Sequence, residues 1–390
     1  MSKNKSKPQS KETQTIHSGH DPDDYHGIVN APVVRTSTII YKDMAAYENP
    51  DTKYRYGRYT TPLVESFCEA LAELENGYAS IVAPSGLAAI TTALMAFLKA
   101  GDHVLMVDSL YPPARSFCNR VLTKMGVQVE YYDPKINAEI ETLIKDNTAV
   151  IYMESPGSAT YDIQDVPAMV AVARKHGIIT MLDNSWASGV LYNPIDHGVD
   201  LSILSCTKYI NGHSDAMMGA VVASSEKAFK PLQKCARDLG MCAGSEEVSL
   251  ALRGLKTLHV RMKEAGVRGL EIAQWLEGNE HVQRVYHPAL PSDPSHALWK
   301  RDFAGCNGLV TIVLKPYEKE AVHKFVEGME IFAIGSSWGG YESLVQPQYM
   351  KSYRSAAPWH EEGFVLRFQI GFEDTKDLIA DIEQAMKYLK

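Results

Sequence analysis

An α/β fold built on a mainly parallel sheet is what this 390-residue sequence predicts. Three observations carry that prediction. Short β-branched runs alternate with helix-length amphipathic segments from residue 79 to residue 224, the pattern of a mainly parallel sheet covered on both faces. The composition, 45% hydrophobic and 22% charged, is that of a globular chain with a sizeable core. Beyond about residue 256 the pattern changes to that of a smaller α+β unit.

Taken in order, residues 1–60 form an N-terminal arm with no evident regular element. Their first 14 residues, with four lysines and no apolar block behind them, resemble neither a secretory signal nor an Arg-rich transit peptide, and are expected to be a solvated disordered tail. Tyr54, Tyr56, Arg58 and Tyr59 fall in one short stretch, a composition suited to contacting a neighbouring subunit. Residues 61–255 form the large domain. Its strands are placed at Ser80 to Ala83, His103 to Asp108, Gln128 to Tyr132, Ala149 to Glu154, Ile178 to Asp183, Leu201 to Leu204 and Gly219 to Ala223, with a helix over Val166 to His176. Ala88 to Leu98 is too short an apolar run to cross a bilayer, is closed by Lys99, and reads as a buried helix. Residues 256–390 form the small domain, with strands at Leu309 to Leu314 and Val365 to Ile370. A closing helix begins near Asp374, in which Leu378, Ile379, Ile382, Met386 and Leu389 follow helical spacing. No internal repeat is present.

Thirty-nine basic against 47 acidic residues give a formal charge of −8, which disfavours a nucleic-acid or anionic-membrane partner. The six cysteines contain no CxxC pair, so reduced thiols in a cytoplasmic setting are expected rather than a disulfide framework. His17, His20 and His26 cluster near the start, but without HExxH or a Cys/His grouping no metal site is expected.

In such sheets ligands sit beyond the carboxyl ends of the strands, so the residues that follow each strand matter most. After the first strand, Ser85, Gly86 and Leu87 open a helix whose free N–H groups and dipole suit a phosphate. Alone, a Ser-Gly pair is only a helix cap. Tyr111 follows the second strand, where a ring could lie over a flat heterocycle; by itself an aromatic belongs to the core. Asp183 closes an apolar strand and requires a partner. Ser205, Cys206, Thr207 and Lys208 then bring two hydroxyls and an amine to the same edge, twenty-five residues beyond Asp183. A lone lysine is ordinarily a solvated surface group. The combination of a lysine for a Schiff base, a carboxylate for a pyridine nitrogen, and hydroxyls with N–H groups for a phosphate is what pyridoxal 5'-phosphate (PLP) requires.

The motifs YGRYTTP, APSGLAAI, ESPGS, LDNSWASG, TKYINGHSDAMMG, HPALP, WKRDF and SWGGYESL extend the pattern from Tyr56 to the end of the chain. Through them the sequence resembles the Cys/Met-metabolism branch of fold-type-I PLP-dependent enzymes, nearest the bacterial cystathionine β-lyases. The resemblance implies that fold and that cofactor, with Lys208 as the Schiff-base lysine, Asp183 as the partner of the ring nitrogen and Tyr111 as the stacking aromatic. It also implies a phosphate cradle from Ser85, Gly86, Leu87, Ser205 and Thr207. Tyr56 and Arg58 match residues that reach the cofactor of the partner subunit, so a homo-oligomer is implied, at least a dimer and by extension a tetramer. Arg367, in the LRFQIG strand, matches the guanidinium that grips the substrate α-carboxylate, a role suited to its bidentate fork. Lys208, Tyr111 and Tyr56 stand as the catalytic set, with Ser337 and Trp338 joining Arg367 as substrate contacts.

The implied activity is that of a carbon–sulfur lyase on a small amino-acid substrate: β-elimination of cystathionine to homocysteine, pyruvate and ammonia, a step of transsulfuration and methionine biosynthesis. Trp338, the absence of a glutamate in the segment Ser336-Ser337-Trp338, and the Pro-Gly-Ser form of Glu154 to Ser158 favour β- over γ-elimination. Ser336 itself departs from the aromatic common in β-lyases and enlarges or polarises the pocket. Alternatives are a broader cysteine-conjugate lyase or desulfhydrase, a cystathionine γ-lyase, a racemase side activity, and, from another class, a PLP-binding regulator, against which the intact Lys208, Asp183, Tyr111 and Arg367 weigh.

Overall fold

The computed structural model describes residues 10–19 and 21–390. Seven strands form the first sheet: β1 (Ala79–Ala83), β2 (His103–Val107), β3 (Gln128–Tyr132), β4 (Thr148–Glu154), β5 (Ile179–Asp183), β6 (Leu201–Ser205) and β7 (Gly219–Ala223). Their spatial order is β1-β7-β6-β5-β4-β2-β3, and every neighbouring pair from β6 to β3 is parallel. β7 runs antiparallel to both of its neighbours. All five residues of β2 are buried, as are the last five of β4. Such unbroken apolar runs are what a strand covered on both faces needs, and the expected α/β class with a mainly parallel sheet is what the structure has.

The helices begin and end on recognisable signals. The helix Gly86–Phe97 starts after Ser85, whose hydroxyl accepts from Ala88 N at 3.1 Å. The helix Val166–His176 starts after Asp165, with a proline in its first turn, and stops at Gly177 in the left-handed conformation (φ +68°), a geometry that favours glycine.

The second sheet contains β8 (Val282–Tyr286), β9 (Leu309–Leu314), β10 (Ala333–Ile334), β11 (Leu344–Gln348) and β12 (Val365–Gln369), in the order β10-β11-β12-β9-β8. Each sheet has its own buried apolar cluster. The long helix Leu258–Glu277 contributes Leu258, Met262 and Ala265 to the first and Ile272, Ala273 and Leu276 to the second. The closing helix, Thr375–Ala385, has Asp374 as its cap and buries Leu378 and Ile382, the face that the spacing predicts.

The N-terminal arm departs from expectation. Residues 1–9 lie outside the described residues, but Lys11–His17 is helical, so the disordered tail does not extend through residue 14. Tertiary contacts hold this helix: Lys11 Nζ donates to the carbonyl of Leu74, Glu12 Oε1 lies 3.2 Å from His259 Nε2, and Thr15 is buried. A second short helix, Met44–Glu48, starts where Asp43 accepts from Ala46 N at 2.8 Å. Among the described residues no helix is long and apolar enough to cross a membrane, all six cysteines are free thiols, and no group of three or more His, Cys, Asp or Glu could hold a metal.

Candidate active site

Four parallel strands, β2, β4, β5 and β6, and one helix deliver their ends to one edge of the large sheet. Ser205 closes β6, and its N–H donates to Ser185 Oγ at 2.7 Å, tying the end of β6 to the turn after β5. Gly86 packs so tightly on Ser205 that a Cβ at position 86 would lie 2.6 Å from both Cβ and Oγ of Ser205. A Cβ on Gly219 would lie 2.2 Å from the Ser85 carbonyl. The turn Ser85–Leu87 is thereby pressed onto the ends of β6 and β7, with the first-turn N–H groups of the helix lacking intrahelical acceptors. Thr207 stands beside this turn, but its hydroxyl is engaged: it donates to the Met218 carbonyl at 3.2 Å and accepts from Met218 N at 3.0 Å. The backbone of Thr207 adds a third bond to Met218 O at 3.0 Å.

Lys208 follows immediately. Its Nζ donates to Ser337 Oγ at 2.5 Å and lies 5.2 Å from the centre of the Trp338 ring. Burial, reinforced by the Arg367 cation and opposed by Asp183, pushes the Lys208 ammonium down to about 8. Asp183 is buried at the end of β5, its Oδ1 accepting from Ser185 N at 3.0 Å, and burial pushes its carboxyl above the usual range. Tyr111 lies within electrostatic reach of both Asp183 and Arg367; burial pushes its phenol up. Its backbone N–H donates to Glu154 Oε2 at 2.7 Å.

Arg367 comes from β12 of the second sheet, facing Gln346 of β11 in register. One terminal nitrogen donates to Ser337 O at 2.9 Å and to Gln346 Oε1 at 2.6 Å, while its buried Nε has no partner. A guanidinium buried with a donor unsatisfied is a site waiting for an acceptor. Ser337 adopts φ +86°, strained for a residue with a side chain, which points its carbonyl to Arg367 and its hydroxyl to Lys208. Trp338 tilts against Tyr209, ring centres 5.5 Å apart.

The structure thus brings Lys208, Asp183, Tyr111, Arg367, Ser337 and Trp338 together, beside Ser85, Gly86, Leu87 and Ser205. Tyr56 and Arg58 stand apart within the single chain. Tyr56 pairs with Thr38 in an isolated bridge, and Arg58 donates to the Arg237 carbonyl at 2.9 Å and covers the Tyr59 ring.

Sequence reasoning assigned no role to Glu154, and the structure gives it a central position. Buried, it accepts from Tyr111 N and from Ser158 Oγ at 2.6 Å, and burial, with Asp183 alongside, pushes it up to about 8. An acid closing an apolar strand, the signal that singled out Asp183, is present at Glu154 as well. PLP fits this donor set: a buried amine of lowered basicity, a buried carboxylate, a glycine turn too tight for any side chain, and an unsatisfied guanidinium for a substrate carboxylate.

Comparison with known proteins agrees. Residues 12–387 match the family described as Cys/Met metabolism PLP-dependent enzyme. A putative cystathionine β-lyase of Rhizobium johnstonii is 46% identical over 95% of this chain and 94% of its own length. The cystathionine β-lyase MetC of Escherichia coli is 38% identical, covering 95% and 97%. An L-alanine/L-glutamate racemase of Wolbachia pipientis is 39% identical over 97% of both chains. Among solved structures, metB from Corynebacterium glutamicum superposes with a TM-score of 0.91 at 30% identity, covering 98% of this chain and 99% of that one. Matched across nearly its whole length in sequence and fold, the chain belongs to the Cys/Met-metabolism family of PLP-dependent enzymes.

Proposed function

We propose that the chain is a carbon–sulfur lyase that cleaves cystathionine by β-elimination, with water, to homocysteine, pyruvate and ammonia. Bound PLP supplies an electron sink for the pair left behind when the substrate Cα–H bond breaks. Lys208 would hold the cofactor and, with its amine free, would take the Cα proton: with the ammonium brought down to about 8, a useful fraction is neutral near physiological pH. The same Nζ then donates a proton to the departing sulfur. Asp183 would keep the ring nitrogen protonated, Tyr111 would stack on the ring, and the turn Ser85–Leu87 with Ser205 would receive the phosphate, joined by Thr207 once its hydroxyl turns from Met218. Arg367 grips the substrate α-carboxylate through the donor that has no partner within the chain. Tyr56 and Arg58, engaged within their own chain by Thr38 and the Arg237 carbonyl, complete the site of a neighbouring subunit in a homo-oligomer.

The observation that carries the choice of β-elimination is the wall beside Lys208: the Trp338 ring lies 5.2 Å from Nζ, and the adjacent Ser336 stands where γ-acting relatives have a glutamate. Pyruvate and homocysteine from cystathionine, assayed with the cofactor-loaded enzyme, are the expected products; α-ketobutyrate and cysteine would reverse the assignment. A second reading, amino-acid racemisation, is favoured by the 39% identity to the Wolbachia racemase. Loss of optical rotation from L-alanine outpacing pyruvate release from cystathionine would make it the main activity.

A further inference from the structure

The connection from β11 to β12 leaves the second sheet as a strap, Tyr349–Trp359, and docks on the large sheet. Its anchor is Asp108, the buried residue that follows β2, three positions before Tyr111. Asp108 Oδ2 accepts from Ser355 N at 2.9 Å and from Ala357 N at 2.9 Å, and Oδ1 accepts from Ser355 Oγ at 3.0 Å. Arg115 donates to the same carboxylate and, at 3.2 Å, to Ser355 Oγ, with its guanidinium 3.6 Å from the centre of the Tyr131 ring. A second anchor is Arg354, whose side chain is 5% exposed: it donates to Thr160 Oγ1 at 2.5 Å and lies 3.5 Å from Asp162.

Immediately before these anchored residues sits Tyr353, packed on the large-sheet core and within electrostatic reach of Arg367. Its hydroxyl accepts from Tyr349 N at 2.7 Å, closing the strap on itself. The loop is therefore pinned over residues 354–357 to the turns that follow β2 and β4, and the adjoining Tyr353 lies within electrostatic reach of the guanidinium of β12. Nothing in the elimination chemistry requires a carboxylate at position 108. Its donors explain it: burial pushes its carboxyl up, but the N–H groups of Ala357 and Ser355 and the Arg115 cation outweigh that and hold it below the usual carboxylate range.

We propose that Asp108 is a positioning residue for substrate: by collecting the backbone N–H groups of Ser355 and Ala357 it holds the strap, and with it Tyr353, over Arg367, so that the substrate carboxylate meets a preformed wall. The inference rests on reading Arg367 as the carboxylate grip. It predicts that loosening the clamp weakens substrate binding while leaving the reacting groups in place, a rise in KM with kcat preserved.

The test uses cofactor-loaded enzyme with Asp108→Asn and Ala357→Pro. Asparagine turns an amide N–H toward the strap donors; proline deletes one donor from the strap side and leaves the Asp108–Arg115 pair intact, so it decides the matter should the first variant fail to fold. Both are expected to raise KM for cystathionine about tenfold or more, with kcat within about threefold and the visible cofactor band unchanged. Trypsin should also cut at the exposed Lys351 several-fold faster in both variants, without substrate. Unaltered cleavage of Ala357→Pro overturns the clamp, and so does a fall in kcat at unchanged KM. Cleavage reports docking independently of what the enzyme turns over, so a wild-type protein inert toward cystathionine sinks the proposed reaction and leaves the clamp to stand or fall on trypsin alone.

Discussion

Glu154 and Asp183 face each other in register on the adjacent parallel strands β4 and β5, two buried carboxylic acids at one sheet edge. Among the described residues neither has a cation as a direct salt-bridge partner; they are held by Ser158, Tyr111 N–H and Ser185 N–H. Two buried acids so close cannot both ionise cheaply, which is why burial and the neighbouring Asp183 bring Glu154 to about 8.

The pH dependence of stability follows from that pair. A carboxyl raised in the folded protein costs nothing while both states are protonated. As pH rises above the unfolded value near 4.5 the unfolded chain releases its proton first, and stability falls until the folded group ionises near 8. One such proton corresponds to at most ~1.4 kcal/mol per pH unit. The cofactor-free Glu154→Gln protein should therefore lose less stability than wild type between pH 5 and 8, measured by urea unfolding at each pH. Parallel curves for the two proteins would refute the assignment.

Lys208 should react out of order among the lysines. At pH 8 about half of a group titrating near 8 is neutral, against less than about 1% of a solvated lysine near 10.4. Cofactor-free protein treated at pH 8 with limiting PLP and borohydride should carry the label on Lys208 first, located by peptide mass mapping. Lys208→Ala should abolish both this label and lyase activity.

Arg367→Lys keeps the charge and loses the fork. A lysine cannot donate to Ser337 O and Gln346 Oε1 and still present an aligned pair of N–H groups to a carboxylate. Breaking a buried charge-assisted contact of this kind costs about 2–4 kcal/mol, roughly 30- to 1000-fold in kcat/KM. Steady-state kinetics should place most of the loss in KM, with cofactor affinity little changed.

Gly86→Ala tests the cradle. The added methyl would lie 2.6 Å from Ser205 Cβ and Oγ, and forcing it in costs about 1–3 kcal/mol. Because the strain falls on the turn assigned to the phosphate, the cofactor dissociation constant should rise about tenfold or more, as read by absorbance titration. Unaltered affinity would move the phosphate elsewhere.

Much of this architecture was legible because the parallel strands are short, apolar and separated by helix-length segments, so that Asp183 and Lys208 could be placed at one edge by counting alone. The helix Val166–His176 was marked at both ends by its own residues. What escaped was structure held from outside. The helix Lys11–His17 is polar, has a single buried residue and no apolar period, and exists because Leu74 and His259 accept it. β8 and β11 interleave charged or amide residues and a proline, and so lack a clear alternating signal. Glu154 carried its signal but was read only for the turn that follows it. The strap was invisible because the four donors on Asp108 come from residues 115, 355 and 357.

β7 runs against the rest of its sheet, so the chain leaves β6 and re-enters β7 at the same rim. Thr207 and Met218 stitch the two sides of that excursion with three hydrogen bonds, like the drawn neck of a bag. Arg261 grips the carbonyls of Tyr209 and Ile210 just inside the neck. Residues beyond it, from His213 to Met217, are largely solvent-facing. The tip of the excursion is moored in turn to the segment that follows Trp338, where Ser214 Oγ donates to Glu342 Oε1 at 2.7 Å, so the pouch that carries the reactive amine is held both at its mouth and at its far end, and a change at either would be felt at Lys208.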